Sequence, residues 1–96
     1  MPKMPKTITI PIPDPQPNKD WKVDYDDNII FEFNANFNDF KVDHPDYFTP
    51  HVKRGPRQEG DCFRCKATTH KKRVVFEYEP DDIEPAVDSH TILIGN

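Results

Sequence analysis

The sequence has little of what a helical protein or a nucleotide-binding enzyme needs. It contains one leucine, three alanines and three glycines among 96 residues, against eleven prolines. Because leucine and alanine favour helices and proline interrupts them, no segment predicts a convincing helix. Three glycines also leave little room for a glycine-rich phosphate-binding loop. These absences argue against a helical fold and against a phosphate-loop enzyme.

Long apolar runs and cysteines are also scarce. The first residues carry Lys3 and Lys6, and Pro11 and Pro13 interrupt the apolar residues after them, so no apolar run of signal-peptide length is present. No stretch reaches the ~20 apolar residues of a membrane-spanning helix. We therefore expect a cytoplasmic protein that has no membrane partner. Its two cysteines are then expected to be free thiols rather than a disulfide.

The residues that are present favour strands. Seven phenylalanines, three tyrosines and one tryptophan supply most of the large apolar side chains. Alternation of apolar and polar residues predicts strands at 7–12, 21–25, 29–34, 40–43, 62–69, 73–79 and 91–94. The strands at 62–69 and 73–79 are predicted to form a hairpin with its turn at 69–72, and residues 44–60 are predicted to be mostly loop. This pattern predicts an all-β fold, an antiparallel β-sandwich of cupredoxin-like or immunoglobulin-like type. We expect one domain over residues 7–96, with residues 1–6 as a flexible N-terminus.

The middle of the chain resembles the cupredoxin family over roughly residues 20–79. Residues 27–36 (DNIIFEFNAN) and 37–42 (FNDFKV) are similar to the family's polar turn, strand and following loop. Cys65 and His70 have a C-x4-H spacing that the family uses. The resemblance implies the cupredoxin fold.

The ligand set of a blue-copper site is incomplete in this sequence. Such a site takes two histidines and a cysteine with a weak axial ligand. Asn38 and Asp39 stand where the family places its first copper-binding histidine, and the only methionines are Met1 and Met4. The resemblance therefore implies a fold without implying bound copper.

The cysteines and histidines suggest a metal site as an alternative function. Cys62-x2-Cys65-x4-His70 has the spacing of the first three ligands of a zinc knuckle. A loop histidine, His51 or His44, would complete a Cys2His2 set for zinc, or the group would bind copper. The counter-argument is that residues three apart on a strand point to opposite faces, which separates Cys62 from Cys65. Two interpretations therefore remain: a binding module without a cofactor, and a protein that binds zinc.

Charge is distributed unevenly along the chain. Residues 1–50 hold nine acids and five bases, residues 51–73 hold eight bases and two acids, and residues 74–96 hold six acids and no base. The acidic and basic segments favour either an acidic protein partner or self-association. Basic residues next to aromatic ones also allow single-stranded nucleic acid as a ligand, although the net charge of −4 makes it a third choice.

No catalytic constellation accompanies these features. The one serine, Ser89, lies between Asp88 and His90. A catalytic triad needs three side chains that converge on one point in space, and three consecutive residues do not provide this. We therefore predict a small non-enzymatic binding module that uses the basic loop and hairpin. The predicted partner-binding residues are His51, Lys53, Arg54, Arg57, Lys71, Lys72 and Arg73.

Overall fold

The computed structural model describes residues 4–16, 19–81 and 87–96. These residues form nine strands and one 3-10 turn and contain no α-helix, which confirms the all-β prediction. The elements are β1 (Thr7–Ile12), β2 (Trp21–Val23), β3 (Asn28–Phe33), β4 (Phe37–Val42), the 3-10 turn (Pro45–Tyr47), β5 (Phe48–Thr49), β6 (Gly55–Arg57), β7 (Cys62–Ala67), β8 (Lys72–Pro80) and β9 (Asp88–Ile94). Within the described ranges, no helix has the length and apolar character needed to cross a membrane.

The strands form two mixed sheets. Sheet A has the order β1-β3-β7-β5, and sheet B has the order β2-β9-β8-β4-β6. β1 runs parallel to β3 and β2 runs parallel to β9, whereas the other pairs are antiparallel. The prediction of purely antiparallel sheets is therefore wrong. The physical reason is that the chain crosses from sheet A to sheet B after β1 and returns after β2, so no tight turn forces neighbouring strands to run in opposite directions.

The predicted hairpin of residues 62–79 is also wrong. β7 belongs to sheet A and β8 to sheet B, so the connection between them crosses from one sheet to the other. Lys71 has a φ of 52° in this connection, and its backbone N–H donates to the carbonyl of Gly95 at 2.9 Å. Alternation marks one apolar face on each strand. It does not distinguish strands that pair side by side from strands that face each other across a core.

Aromatic side chains from both sheets fill the space between them. Phe31 and Phe33 of β3 meet Phe40 of β4 edge to face, with centroids 5.1 and 4.9 Å apart. Phe76 of β8 lies 5.8 Å from Phe31, and all four rings are fully buried. Each edge-to-face pair stabilises the fold by about 0.5–1.5 kcal/mol beyond the contribution of the buried area. The period-2 pattern of β3 and β8 thus reflects the two inner faces of one core.

The two ends of this assembly carry different elements. At one end, here called the network end, lie the β1–β2 connection, the end of β8 and the start of β9. At the other, here called the turn end, lie the turn at 24–27, the 3-10 turn and the β7–β8 connection. Backbone hydrogen bonds join these turns: Asp26 N–H donates to the Ala67 carbonyl at 2.8 Å, and Thr68 N–H donates to the Tyr47 carbonyl at 2.9 Å.

Some predicted boundaries shift, and some fall outside the described residues. β1 matches its prediction, whereas β4 begins three residues earlier than expected, at Phe37. The predicted loop 44–60 contains β5, β6 and the 3-10 turn. Residues 1–3 of the predicted flexible terminus and most of the connection after β8 lie outside the described part of the chain.

Candidate binding surface

Arg57 was predicted to contact a partner, but its side chain lies against the core. It comes from edge strand β6, and its guanidinium carbon lies 5.4 Å from the ring centroids of both Phe33 and Phe40. The guanidinium also donates to the backbone carbonyls of Gly55, at 3.0 Å, and of Lys53. Burial lowers the pKa of this guanidinium. Arg57 is therefore half buried against the edge of the core and contacts two phenylalanine rings there.

Arg54 is compensated by a neighbouring carboxylate. Its guanidinium lies 2.9 Å from Asp39 Oδ2, and the hydrogen bond and charge of Asp39 raise the pKa of Arg54. His51 and Lys53, in the same connection, are exposed and form no ion pair with a described residue. The loop thus supplies His51 and Lys53 as free polar contacts.

The cations around the β7–β8 connection also lack a carboxylate partner among the described residues. Lys71, Lys72 and Arg73 are exposed and form no ion pair within the described ranges. Lys72 Nζ lies 5.9 Å from the ring centroid of Tyr47. Tyr47 in turn stacks on His44, with centroids 4.5 Å apart. One of these three consecutive cations, Lys72, therefore lies next to a stacked aromatic pair at the turn end.

A second stacked pair lies at the same end. Tyr25 and His70 have centroids 4.3 Å apart and an interplanar angle of 15°. Tyr25 is 47% exposed, one of few large apolar side chains in the described residues with so much surface in solvent. The pair adds an exposed, flat aromatic surface, and its His70 directly precedes Lys71 in the sequence.

Two acids of the turn end, Asp27 and Asp43, accept hydrogen bonds from backbone N–H groups. Burial acts to raise the pKa of Asp27, but hydrogen bonds from the backbone N–H groups of Lys6 and Asp24, together with the charge of Lys6, outweigh it and lower that pKa. Asp43 Oδ1 accepts from the Val75 N–H at 2.9 Å. These two carboxylates therefore hold the backbone at the turn end.

The structure does not bring the predicted metal ligands together. Cys62 is exposed and Cys65 is buried, because they point to opposite faces of β7. Burial raises the pKa of the Cys65 thiol to about 12. His70 lies beyond the far end of β7, stacked on Tyr25, and His51 lies in the β5–β6 connection. In the described part of the chain, no group of three or more His, Cys, Asp or Glu side chains is arranged to hold a metal ion.

A buried polar network at the network end was not foreseen from the sequence. Asp14 Oδ2 accepts from Trp21 Nε1–H at 2.6 Å and lies 3.3 Å from His90 Nδ1. Tyr78 Oη lies 3.0 Å from His90 Nε2 and accepts from the Asp14 backbone N–H at 2.9 Å. No sequence motif announces this network, because Asp14 and Tyr78 are 64 positions apart and Asp14 lies in a proline-rich segment.

The network has the bonding of a structural clamp. The side chains of His90 and Asp14 are 7% and 0% exposed, and Tyr78 is buried. Burial raises the pKa of Tyr78. Each of the four side chains has a hydrogen-bond or close polar partner within the network. The clamp ties the β1–β2 connection to β8 and β9 of sheet B.

The outer face of sheet A carries a shallow, mostly apolar groove of about 450 Å³. Four residues in cross-strand register line one end of it: Thr7, Asn28, Lys66 and Thr49. Ile30 and Arg64 face each other in another register position of the groove. The sequence did not predict this groove, because it depends on which four strands are neighbours.

Comparison of the chain with known protein families, with curated proteins and with solved structures gave no match.

Proposed function

We propose that this chain is a small non-enzymatic binding module that recognises an acidic protein partner in the cytoplasm. The proposed contact residues, here called the basic surface, are His51, Lys53, Lys71, Lys72 and Arg73. The observation that carries the proposal is the exposure of Lys71, Lys72 and Arg73 without a carboxylate partner among the described residues. Uncompensated cations attract an acidic surface and steer its approach.

The stacked pairs would add contact area to this electrostatic attraction. Tyr47 lies under Lys72, and Tyr25 is half exposed beside His70. Aromatic side chains are enriched at protein interfaces because they present large contact areas with little rotational freedom. The same combination of cations and flat rings favours single-stranded nucleic acid as a second candidate ligand.

We further propose that the fold is of the cupredoxin-like rather than the immunoglobulin-like type. Immunoglobulin-type sandwiches are built from antiparallel sheets. Each sheet here contains one parallel pair, β1 with β3 and β2 with β9. This difference supports the cupredoxin resemblance of residues 20–79, while the placement of Cys62 and Cys65 on opposite faces gives no support to a metal-binding role.

A charge reversal with a matched control tests the proposed partner class. The test variant is Lys71→Glu/Arg73→Glu, and the control is Lys19→Glu/Lys22→Glu, which changes net charge equally at two other exposed lysines. The probes are a fluorescent glutamate-rich peptide and a fluorescent oligothymidylate, followed by fluorescence anisotropy at two salt concentrations. We expect the test variant to lose about tenfold or more in affinity for the acidic peptide, and the control to lose less.

Three outcomes would overturn the proposal. Equal losses in the two variants would mean that net charge alone drives binding. No binding of the acidic peptide at low salt would remove the acidic-partner class. Tighter binding of the oligothymidylate than of the peptide, lost in the test variant, would favour the nucleic-acid alternative.

A further inference from the structure

Strand β7 has an edge that its neighbour covers only in part. On one side β7 pairs with β3 over residues 62–66. On the other side β5 pairs only with Ala67 and Lys66. No described strand pairs with residues 62–65 on that side. β5 is two residues long and ends before Pro50.

The hydrogen-bond pattern identifies which backbone groups are open. Ala67 N–H donates to the Asp27 carbonyl at 3.1 Å, and Phe33 N–H donates to the Asp61 carbonyl at 2.9 Å. Because bonded residues alternate along an antiparallel strand, the odd-numbered residues 61–67 direct their backbone groups toward β3. The backbone N–H and C=O groups of Cys62 and Arg64 therefore point away from β3, toward the side that β5 leaves open. Such unpaired groups are a template for another strand.

The charges of the side chains along this edge favour an added strand that is acidic. Arg64 and Lys66 are exposed on the outer face of sheet A. Arg64 forms no ion pair with a described residue, and Lys66 Nζ lies 3.7 Å from Asp26. A second copy of β7 would bring cations close to cations, which destabilises cross-strand pairing. An acidic strand would place carboxylates near the same two cations.

The two faces of the edge differ in polarity. Cys62, Arg64 and Lys66 lie on the outer face, whereas Phe63 is half buried and packs against the core on the inner face. An added strand has side chains that alternate between these faces. Acidic side chains would therefore lie beside Arg64, and apolar ones beside Phe63.

We propose that residues 62–65 of β7 bind an extended acidic segment of the partner as an added strand, in line with β5. This inference rests on the proposed function, because it specifies how the acidic partner is bound. Main-chain hydrogen bonds to Cys62 and Arg64 give affinity, and alternating acidic and apolar side chains give specificity. Four residues of strand span about 13 Å, so a segment of about five residues is long enough.

The test uses four blocked hexapeptides and amide hydrogen exchange measured by NMR on the full chain. The first peptide alternates glutamate and valine, and the second alternates lysine and valine. The third and fourth are glutamate peptides with N-methyl groups that remove the hydrogen bonds of one strand edge or of the other. We expect saturating glutamate peptide to slow exchange of the Cys62 and Arg64 amides by about tenfold or more. The lysine peptide and at least one N-methylated form should not slow it.

A charge exchange provides a second, independent readout. In the variant Arg64→Glu/Lys66→Glu, affinity for the glutamate peptide should fall by about tenfold, and affinity for the lysine peptide should rise by a similar factor. Lys19→Glu/Lys22→Glu serves again as the control with equal net charge. If the test variant unfolds, the N-methylated peptides still decide the question on the unaltered chain.

The outcomes separate this inference from the proposed function. Equal binding of every N-methylated form, with affinity still dependent on Lys71 and Arg73, would retain the acidic partner and overturn strand addition. Cys62 and Arg64 amides already protected in the free chain would also overturn strand addition, because the edge would be closed. No binding of any acidic peptide would overturn both proposals.

Discussion

The two ends of the molecule treat polar side chains in opposite ways. At the network end, Asp14, Trp21, Tyr78 and His90 are withdrawn from solvent and bonded to one another. At the turn end, Lys71, Lys72 and Arg73 are exposed and form no ion pair among the described residues. Buried polar groups must find partners or destabilise the fold, whereas exposed cations are solvated at little cost. The first end is therefore built for stability, and the second is free to take part in recognition.

Asp27 shows that the division between the ends is not complete. It lies at the turn end, yet it is buried and binds the backbone N–H groups of Lys6 and Asp24 at 3.0 and 2.8 Å. Its role is to fix the turn that carries Tyr25. The turn end thus combines a buried carboxylate that holds the backbone with exposed cations that do not.

The largest expected effect comes from removing the carboxylate of the network. Asp14→Ala deprives Trp21 Nε1–H and the Gln16 backbone N–H of their acceptor and removes the carboxylate that lies 3.3 Å from His90 Nδ1. We expect the free energy of unfolding to fall by about 3 kcal/mol or more, measured by urea denaturation. A loss below about 1 kcal/mol would show that the network is not a structural clamp.

A smaller loss is expected at the buried carboxylate of the turn end. Asp27→Ala removes the acceptor for two backbone N–H groups, and we expect a loss of about 2 kcal/mol. Because the folded-state pKa of Asp27 is lower than its ordinary value of 3.8, its contribution is present above that value and is lost as the pH falls through the folded-state pKa. Urea denaturation at neutral and acidic pH measures this loss.

Asp27→Asn is the control for the pH prediction. It keeps one of the two acceptor oxygens but cannot titrate, so its stability should fall less between neutral and acidic pH than that of the unaltered chain. The same fall in both chains would assign the acid sensitivity to other carboxylates.

Arg57 and Arg54 allow a half-buried and an exposed arginine to be compared within one short segment. Arg57→Lys should cost about 1 kcal/mol, because lysine cannot reproduce the planar guanidinium over Phe33 and Phe40 or its carbonyl contacts. Arg54→Lys, at an exposed ion pair with Asp39, should leave stability nearly unchanged because solvent screens the pair. Equal effects in urea denaturation would mean that Arg57 is not part of the core edge.

The smallest stability effect is expected at the exposed cations. Lys71→Glu/Arg73→Glu should change the free energy of unfolding by no more than about 0.5 kcal/mol while it weakens binding of the acidic peptide. Thermal denaturation and anisotropy on the same samples measure the two quantities. A stability loss above about 1.5 kcal/mol would assign these cations to the fold rather than to recognition.

Local alternation was enough to locate most strands. β1, β3 and β8 lie where alternating apolar residues predicted them, because each has one face in the core. The separation of Cys62 from Cys65 also followed from the period of a strand. β5 and β6 were not foreseen, since strands of two and three residues exist only through their neighbours.

The candidate surface was predicted only in part. The basic segment pointed to His51, Lys53, Lys71, Lys72 and Arg73, which are exposed. The sequence could not show that Asp39 compensates Arg54 or that Arg57 turns into the core, because both depend on how β6 lies against β4.

Composition and short-range pattern decided that this chain is a β protein with two apolar strand faces and a basic segment. The closure of the core decided the rest: which strands pair, that β7 and β8 belong to different sheets, that Asp14 meets His90, and that no described strand pairs with residues 62–65 on one side of β7. The physical reason is range. Side-chain alternation and charge are properties of neighbouring residues, whereas strand partners and buried hydrogen bonds join residues that only the packing of two sheets brings together.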